Sequence, residues 1–311
     1  MTNRLLARLL SPLACTAMVL GTTACAAQDR RLPSPVASSP VAAEDKLSGP
    51  ALWRMKDEDT TIYLFGTVHV LPKDVVWFDG PIKRAFEASG EMVTEVDTSD
   101  VAAMQQQMQG AAKLEGDQTL RELMSAQDRV AFEEALVSLG LPVAGLDQVE
   151  PWFAALVLTL LPLNRAGYSP DTGVETALNA MAGDKQRDQF ETVQFQVELF
   201  DTMPMEQQLA YLRGVVDAVP ETVSTLDAMI QEWLAGDIAD LGKLLNPDAS
   251  DKALRERLLS ARNRQWADWL DERMEQPGTV FVAVGAGHLA GKDSVQRELG
   301  KRGFKVERVL H

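Results

Sequence analysis

The stretch Thr61-Ile-Tyr-Leu-Phe-Gly-Thr-Val-His-Val-Leu71 is almost continuously apolar, rich in β-branched and aromatic residues, and closed by Pro72. A run of this kind reads as a strand covered on both faces, as in a parallel sheet, because a half-solvated strand would alternate instead. Two further runs share the character, Glu91-Met-Val-Thr-Glu-Val-Asp97 and Thr279-Val-Phe-Val-Ala-Val284, each bordered by glycine. A fourth, Phe304–Leu310, alternates and reads as an edge strand. Between the first two lies Pro81–Ser89, with Ile82, Ala85 and Phe86 at helical spacing. Strand, helix, strand in that order implies a parallel pair joined by a right-handed crossover.

From Asp100 to Gln276 the pattern becomes helical. Thr119 and Glu122 form a capping box ahead of Leu120, Leu123 and Met124. Met205–Val219, Glu221–Leu234 and Lys252–Met274 repeat apolar residues every three or four positions, with Pro204, Pro220 and Pro277 as punctuation. Trp152–Leu163 is the longest apolar run, too short for a membrane span and suited to a buried helix. The methionines at 104, 108, 124, 203 and 205 read as helix packing, as do the tryptophans Trp53, Trp152, Trp233, Trp266 and Trp269. The expected fold is α/β: a small, mainly parallel sheet core formed by the N- and C-terminal parts of one domain (49–311), with a large helical insertion at about 98–277.

Composition narrows the function. The chain has 311 residues with 30 Lys and Arg against 45 Asp and Glu, a formal charge of −15. Such a surface, with no concentrated basic stripe, repels phosphate backbones, so no nucleic-acid partner is expected. Two Cys and three His exclude thiolate zinc sites, iron–sulfur clusters and a disulfide scaffold. Any chemistry must rest on carboxylates and very few imidazoles.

Residues 1–27 have the layout of a secretory signal: Arg4 and Arg8, an apolar centre, then small residues. Two processing readings are open. Ala24-Cys25-Ala26 suits ordinary signal peptidase, whereas Thr22-Thr23-Ala24-Cys25 resembles a lipobox, with Cys25 lipidated as the first mature residue. In either case Cys15 is discarded and the mature chain holds at most one Cys. Residues 28–48 are rich in Pro, Ser and Ala, the composition of an extended tether. The chain is therefore expected to be exported, to the periplasm or to a lipid anchor on the outer membrane, touching a membrane only through that anchor.

His311 is the last residue and has no expected role. The other two imidazoles fall in matching contexts, Gly66-Thr67-Val68-His69 and Gly285-Ala286-Gly287-His288, each after a buried strand. In a parallel sheet the crevice lies at the carboxyl ends of the strands, which places both on one side. Glu95-Val96-Asp97 closes the third strand run at the same end. Two imidazoles with one or two carboxylates suit a divalent Mn, Co or Zn ion, with a coordination position left open for water.

These motifs, Leu64-Phe-Gly-Thr-Val-His-Val-Leu-Pro72, Glu95-Val-Asp97 and Val284-Gly-Ala-Gly-His-Leu-Ala-Gly291, resemble the TraB/GumN family, related to the Tiki proteases and to the erythromycin esterase and ChaN-like group. Gly173-Val-Glu175, Phe190-Glu-Thr192 with Gln196, and Arg262-Asn263 with Trp266 resemble further family segments. The resemblance implies His69 and His288 as metal ligands or bases and Glu95 as ligand or general base. It adds Glu191 as a second catalytic acid on the helical insert, and Arg262 and Asn263 as substrate contacts. It implies metal-dependent peptide cleavage in the Tiki branch, water activation by a His and Glu pair in the esterase branch, and haem or iron binding in ChaN-like relatives. The leading expectation is a metal-dependent envelope hydrolase acting on a peptide or small ester. The alternative is a binding protein that holds a peptide, haem iron or saccharide in the same cleft.

Overall fold

In a computed structural model, residues 49–98, 101–245 and 252–310 are described. Residues 1–48, on which the expected signal, Cys25 and the expected tether fall, and His311 lie outside them. The core is a six-stranded mixed sheet of β1 (Leu52–Lys56), β2 (Thr60–Thr67), β3 (Glu91–Val96), β4 (Gln186–Glu191), β5 (Gly278–Gly285) and β6 (Glu307–Arg308), in the order β4-β3-β5-β2-β1-β6. Strands β4, β3, β5 and β2 are parallel; β1 runs antiparallel to β2, and β6 to β1.

The three buried runs form the central strands, but two expectations need correction. Strands β2 and β3 do not pair: β5 lies between them, with Tyr63 beside Phe281 and Met92 beside Phe281 on its other edge. The region 98–277 is also not wholly helical, because β4 crosses it and pairs with β3. Strand β4 reads Gln-Arg-Asp-Gln-Phe-Glu, mostly exposed until Glu191, and such charge on an edge strand blocks pairing with another chain while hiding the strand from hydrophobic patterning. The run from Phe304 contributes only a two-residue strand.

Alternate residues of the central strands feed two apolar layers. Phe65, Met92 and Phe281 face α1 (Gly80–Ala88) and further helices that supply Leu178, Trp233 and Leu241. Ile62, Leu64, Val93, Val280 and Val282 face Trp266, Leu270 and Leu299. Two further apolar clusters join helices of the insertion, with Trp152, Ala154, Ala155 and Leu158 of the helix Pro151–Arg165 at their centre. That long apolar run is therefore a buried helix, and among the described residues no helix is long and apolar enough to cross a membrane. The Thr119 capping box forms as expected, the Glu122 carboxylate accepting the Thr119 N–H at 2.7 Å.

Candidate active site

The registers Gly66 beside Val284 and Thr67 beside Gly285 bring the two Gly-x-x-His motifs alongside each other at the carboxyl edge of the sheet. Gly66 is needed for that approach, since a Cβ there would lie 3.1 Å from the Ala286 Cα. Gly285 does something different. A Cβ on it would lie 3.1 Å from Glu95 Oε1, 3.5 Å from His69 Nε2 and 3.9 Å from His288 Cδ2, so the three side chains converge on the space beside its bare Cα.

Around that space the groups are layered by depth. His69 and Glu175 keep partial exposure at the mouth, 21% and 16% of their side chains, whereas Glu95, Glu191, Arg262 and His288 are buried. His69 Nδ1 lies 2.7 Å from Glu175 Oε1, and Thr67 Oγ1 donates to the same oxygen. Gly173 makes this contact sterically attainable: any Cβ there would fall 2.1 Å from the His69 carbonyl oxygen, while Val174 N–H donates to Val68 O at 3.1 Å. Burial alone would depress the His69 pKa, but the Glu175 carboxylate, helped by Glu95, overrides it and pushes it up to about 9. Burial would likewise raise Glu175, yet His69 and the Thr67 hydroxyl hold its carboxyl below the usual range. His69 is thus an imidazolium at neutral pH, its Nε2–H directed to the Gly285 space.

At the floor, Arg262 uses every N–H it has. Nε donates to Glu191 Oε1 at 2.7 Å, and Nη2 to Glu191 Oε2 at 2.8 Å and Glu95 Oε2 at 2.7 Å. Nη1 donates to Leu258 O at 3.0 Å and to His288 Nε2 at 3.1 Å. Gln196 Nε2 bridges Glu95 and Glu191, and Trp266 Nε1 donates to Glu191 Oε1 at 2.9 Å, its ring lying 4.9 Å from the guanidinium. Glu95 Oε1 accepts the Gly285 N–H at 2.7 Å. Burial and the neighbouring Glu191 push the Glu95 carboxyl above its ordinary value, against the pull of Arg262, His69 and the Gly285 N–H.

His288 is fixed in one tautomer by its neighbours. Asn263 Nδ2 donates to Asp293 O at 2.6 Å, which orients Oδ1 as acceptor for His288 Nδ1–H and leaves Nε2 as the acceptor for Arg262. Burial, with the charges of Arg262 and His69, holds its pKa well below the ordinary value, so the ring is neutral.

The predicted residues His69, Glu95, Glu191, Arg262, Asn263 and His288 therefore share one cluster, but several sit differently from expectation. Glu191 is the last residue of strand β4, not part of a helix, because the parallel pairing with β3 carries it beside Glu95. Arg262 and Asn263, expected to touch substrate, are buried with their donors committed internally. Asp97 is exposed beyond the end of β3. A five-residue π-helical segment, Glu256–Ser260, precedes α2 (Ala261–Arg273), the helix that carries Arg262. Such an insertion re-aims the following turn, here so that Arg262 and Trp266, one turn apart, face the sheet edge.

Nor does the arrangement fit a divalent ion. Glu95 Oε2, both oxygens of Glu191 and the His288 Nε2 lone pair are all directed at guanidinium N–H groups, and His69 is protonated. Among the described residues, a group of three potential ligands whose atoms lie within 4.8 Å of one another occurs at Glu232, Asp237 and Asp240, away from the histidines; there Asp237 caps the helix Ile238–Leu245 through the Ala239 and Asp240 N–H groups.

In the sequence Glu175 and Gln196 carry no assigned role, Trp266 reads only as helix packing, and Thr67 is passed over. The one-turn spacing of Arg262 and Trp266 and the glycine before Glu175 were the signals available. A mainly parallel sheet with two Gly-x-x-His turns and a buried Arg–Glu cluster at the carboxyl edge of its parallel strands defines an α/β protein with a polar site at its strand ends. Residues 51–308 match the TraB/PrgY/gumN family, and the chain belongs to it. It is 22% identical over 266 residues to an uncharacterized protein of Treponema pallidum (strain Nichols), covering 80% of each chain. No solved structure matches.

Proposed function

We propose that this chain is a hydrolase of peptide or small ester carbonyls, with the reacting water held between Glu95 and His69 beside Gly285. The observation that supports this reading is the convergence there of Glu95 Oε1 and His69 Nε2, one a carboxylate with a raised pKa and the other an imidazolium. Glu95 takes a proton from water as its oxygen attacks the carbonyl carbon. The His69 Nε2–H donates to the developing oxyanion and then gives its proton to the leaving amine or alcohol as the C–N or C–O bond breaks. Glu175 fixes the His69 ring and keeps it charged. Arg262 stabilises the buried carboxylates and makes no contact with substrate.

Peptide and ester libraries incubated with the native chain, Glu95→Gln and His69→Gln test this reading. Each substitution is expected to lower kcat about 10²–10⁴-fold at a temperature where the variant is still folded by circular dichroism. The melting temperature itself is expected to fall, because each residue belongs to an ion pair, Glu95 with Arg262 and His69 with Glu175. Saturable binding of a library member without turnover by the native chain would replace the hydrolase with the binding protein.

We further propose that the chain is exported and lipid-anchored to the bacterial outer membrane through Cys25, on the strength of the signal-like residues 1–27 and the tether at 28–48. Metabolic labelling with palmitate is expected to mark the native chain and not Cys25→Ser. Equal absence of label from both would select ordinary signal-peptidase cleavage.

A further inference from the structure

We infer that Arg262 is the resident cation of this site: its guanidinium fills the locus on which Glu95, Glu191 and His288 converge, and a divalent metal binds there only once that guanidinium is removed. The inference is independent of the hydrolytic reading, since it concerns what holds the buried charges together and not what they do to a substrate.

The geometry has three parts. The donors come from separate elements, Glu95 from β3, Glu191 from β4 and His288 from the turn after β5, and within the cluster they meet at the guanidinium of Arg262. Two buried carboxylates this close repel each other, and the guanidinium between them supplies the compensating charge that a metal would otherwise bring. All five of its N–H groups have acceptors, among them both Glu191 oxygens, Glu95 Oε2 and His288 Nε2, so a second cation can reach the point where those four atoms meet only by displacing it.

His288 supplies the second part. Its Nδ1–H is held by Asn263 Oδ1 and its Nε2 lone pair points inward, the tautomer and orientation that a metal-ligating imidazole receives from an outer hydrogen-bond partner. In this chain that lone pair meets an N–H of Arg262. The third part is the donor set itself. One imidazole and two carboxylates suit a first-row divalent ion, so truncating Arg262 leaves a preset site facing a vacated volume. His69 stays outside it, bonded through Nδ1 to Glu175.

Co(II), whose visible absorption reports its coordination, is the probe. The native chain is expected to show no saturable Co(II) band, and Arg262→Ala to bind one Co(II) per chain. Asn263→Ala on the Arg262→Ala background is expected to weaken that binding about 10–100-fold, and His288→Ala on it to abolish the band. Methylguanidinium, which refills the vacated locus, is expected to displace Co(II) competitively. Should Arg262→Ala be unfolded in buffer, added Co(II) is expected to restore its circular dichroism and a cooperative melt. Stoichiometric Co(II) on the native chain that disappears in His288→Ala would overturn the inference, as would an Arg262→Ala chain, folded or unfolded, that does not respond to Co(II).

Discussion

Arg262 grips Glu191 through two parallel hydrogen bonds, Nε to Oε1 at 2.7 Å and Nη2 to Oε2 at 2.8 Å, across 71 residues of chain and with both side chains buried. The forked contact ties α2 to the exposed edge strand β4, so the pair fastens an element that has little apolar burial of its own.

Removing one partner of a buried pair leaves the other charge uncompensated. Glu191→Ala is therefore expected to lose about 3–5 kcal/mol of unfolding free energy, read from urea denaturation. Asp240→Ala, which removes an exposed pair with Lys243, is expected to change it by less than about 1 kcal/mol. Comparable losses in the two variants would show that Glu191 is not held as described.

Much of this was legible in the sequence and some was not, for reasons that differ by residue. The strands carrying Gly66 and Gly285 announce themselves because both faces are buried and the residues are apolar. Strand β4 does not, since an edge strand with one covered neighbour can be written in Gln, Arg and Asp; Glu191 was consequently assigned to a helix. The site's location followed from two like motifs at strand ends. Its electrostatics did not: whether Arg262 faces solvent, a substrate or two carboxylates depends on which turn of α2 meets the sheet, and that depends on the π-helical segment before it.

Gly173 sets the distance between the Glu175 segment and His69. Gly173→Ala would drive a methyl to 2.1 Å from the His69 carbonyl oxygen, so the segment must move away. The expected cost is about 2 kcal/mol or more, with His69 released from Glu175. Gly90→Ala meets nothing within 4 Å and is expected to stay within about 1 kcal/mol of native. Thermal melts of the two variants make the comparison.

His288 gives a prediction that needs no mutation. Held neutral by burial and by the charges of Arg262 and His69, it is expected to keep its Nδ1–H tautomer without titrating from pH 8 down to about pH 5, where an ordinary imidazole protonates near 6.5. Imidazole ¹⁵N shifts read this directly. A ring that gains a second proton in that interval would contradict the hydrogen-bond assignment through Asn263.

His69 behaves in the opposite sense, and stability should follow it. Its folded pKa of about 9 exceeds the ordinary 6.5, so the folded state binds the proton more tightly than the unfolded chain. The stabilisation is full below about pH 6.5, declines as pH rises, and is gone above about pH 9; the shift corresponds to an upper bound of about 3 kcal/mol. Glu175→Gln removes the charge responsible, so His69 should then titrate near or below its ordinary value and the alkaline loss of stability should shrink. Urea denaturation at pH 6, 8 and 10 for the native chain and Glu175→Gln, with the His69 Cε1–H resonance followed in parallel, tests both halves. Identical alkaline loss in the two proteins would mean that some other group carries the pH dependence and that the short contact between His69 and Glu175 does not hold a charge in place.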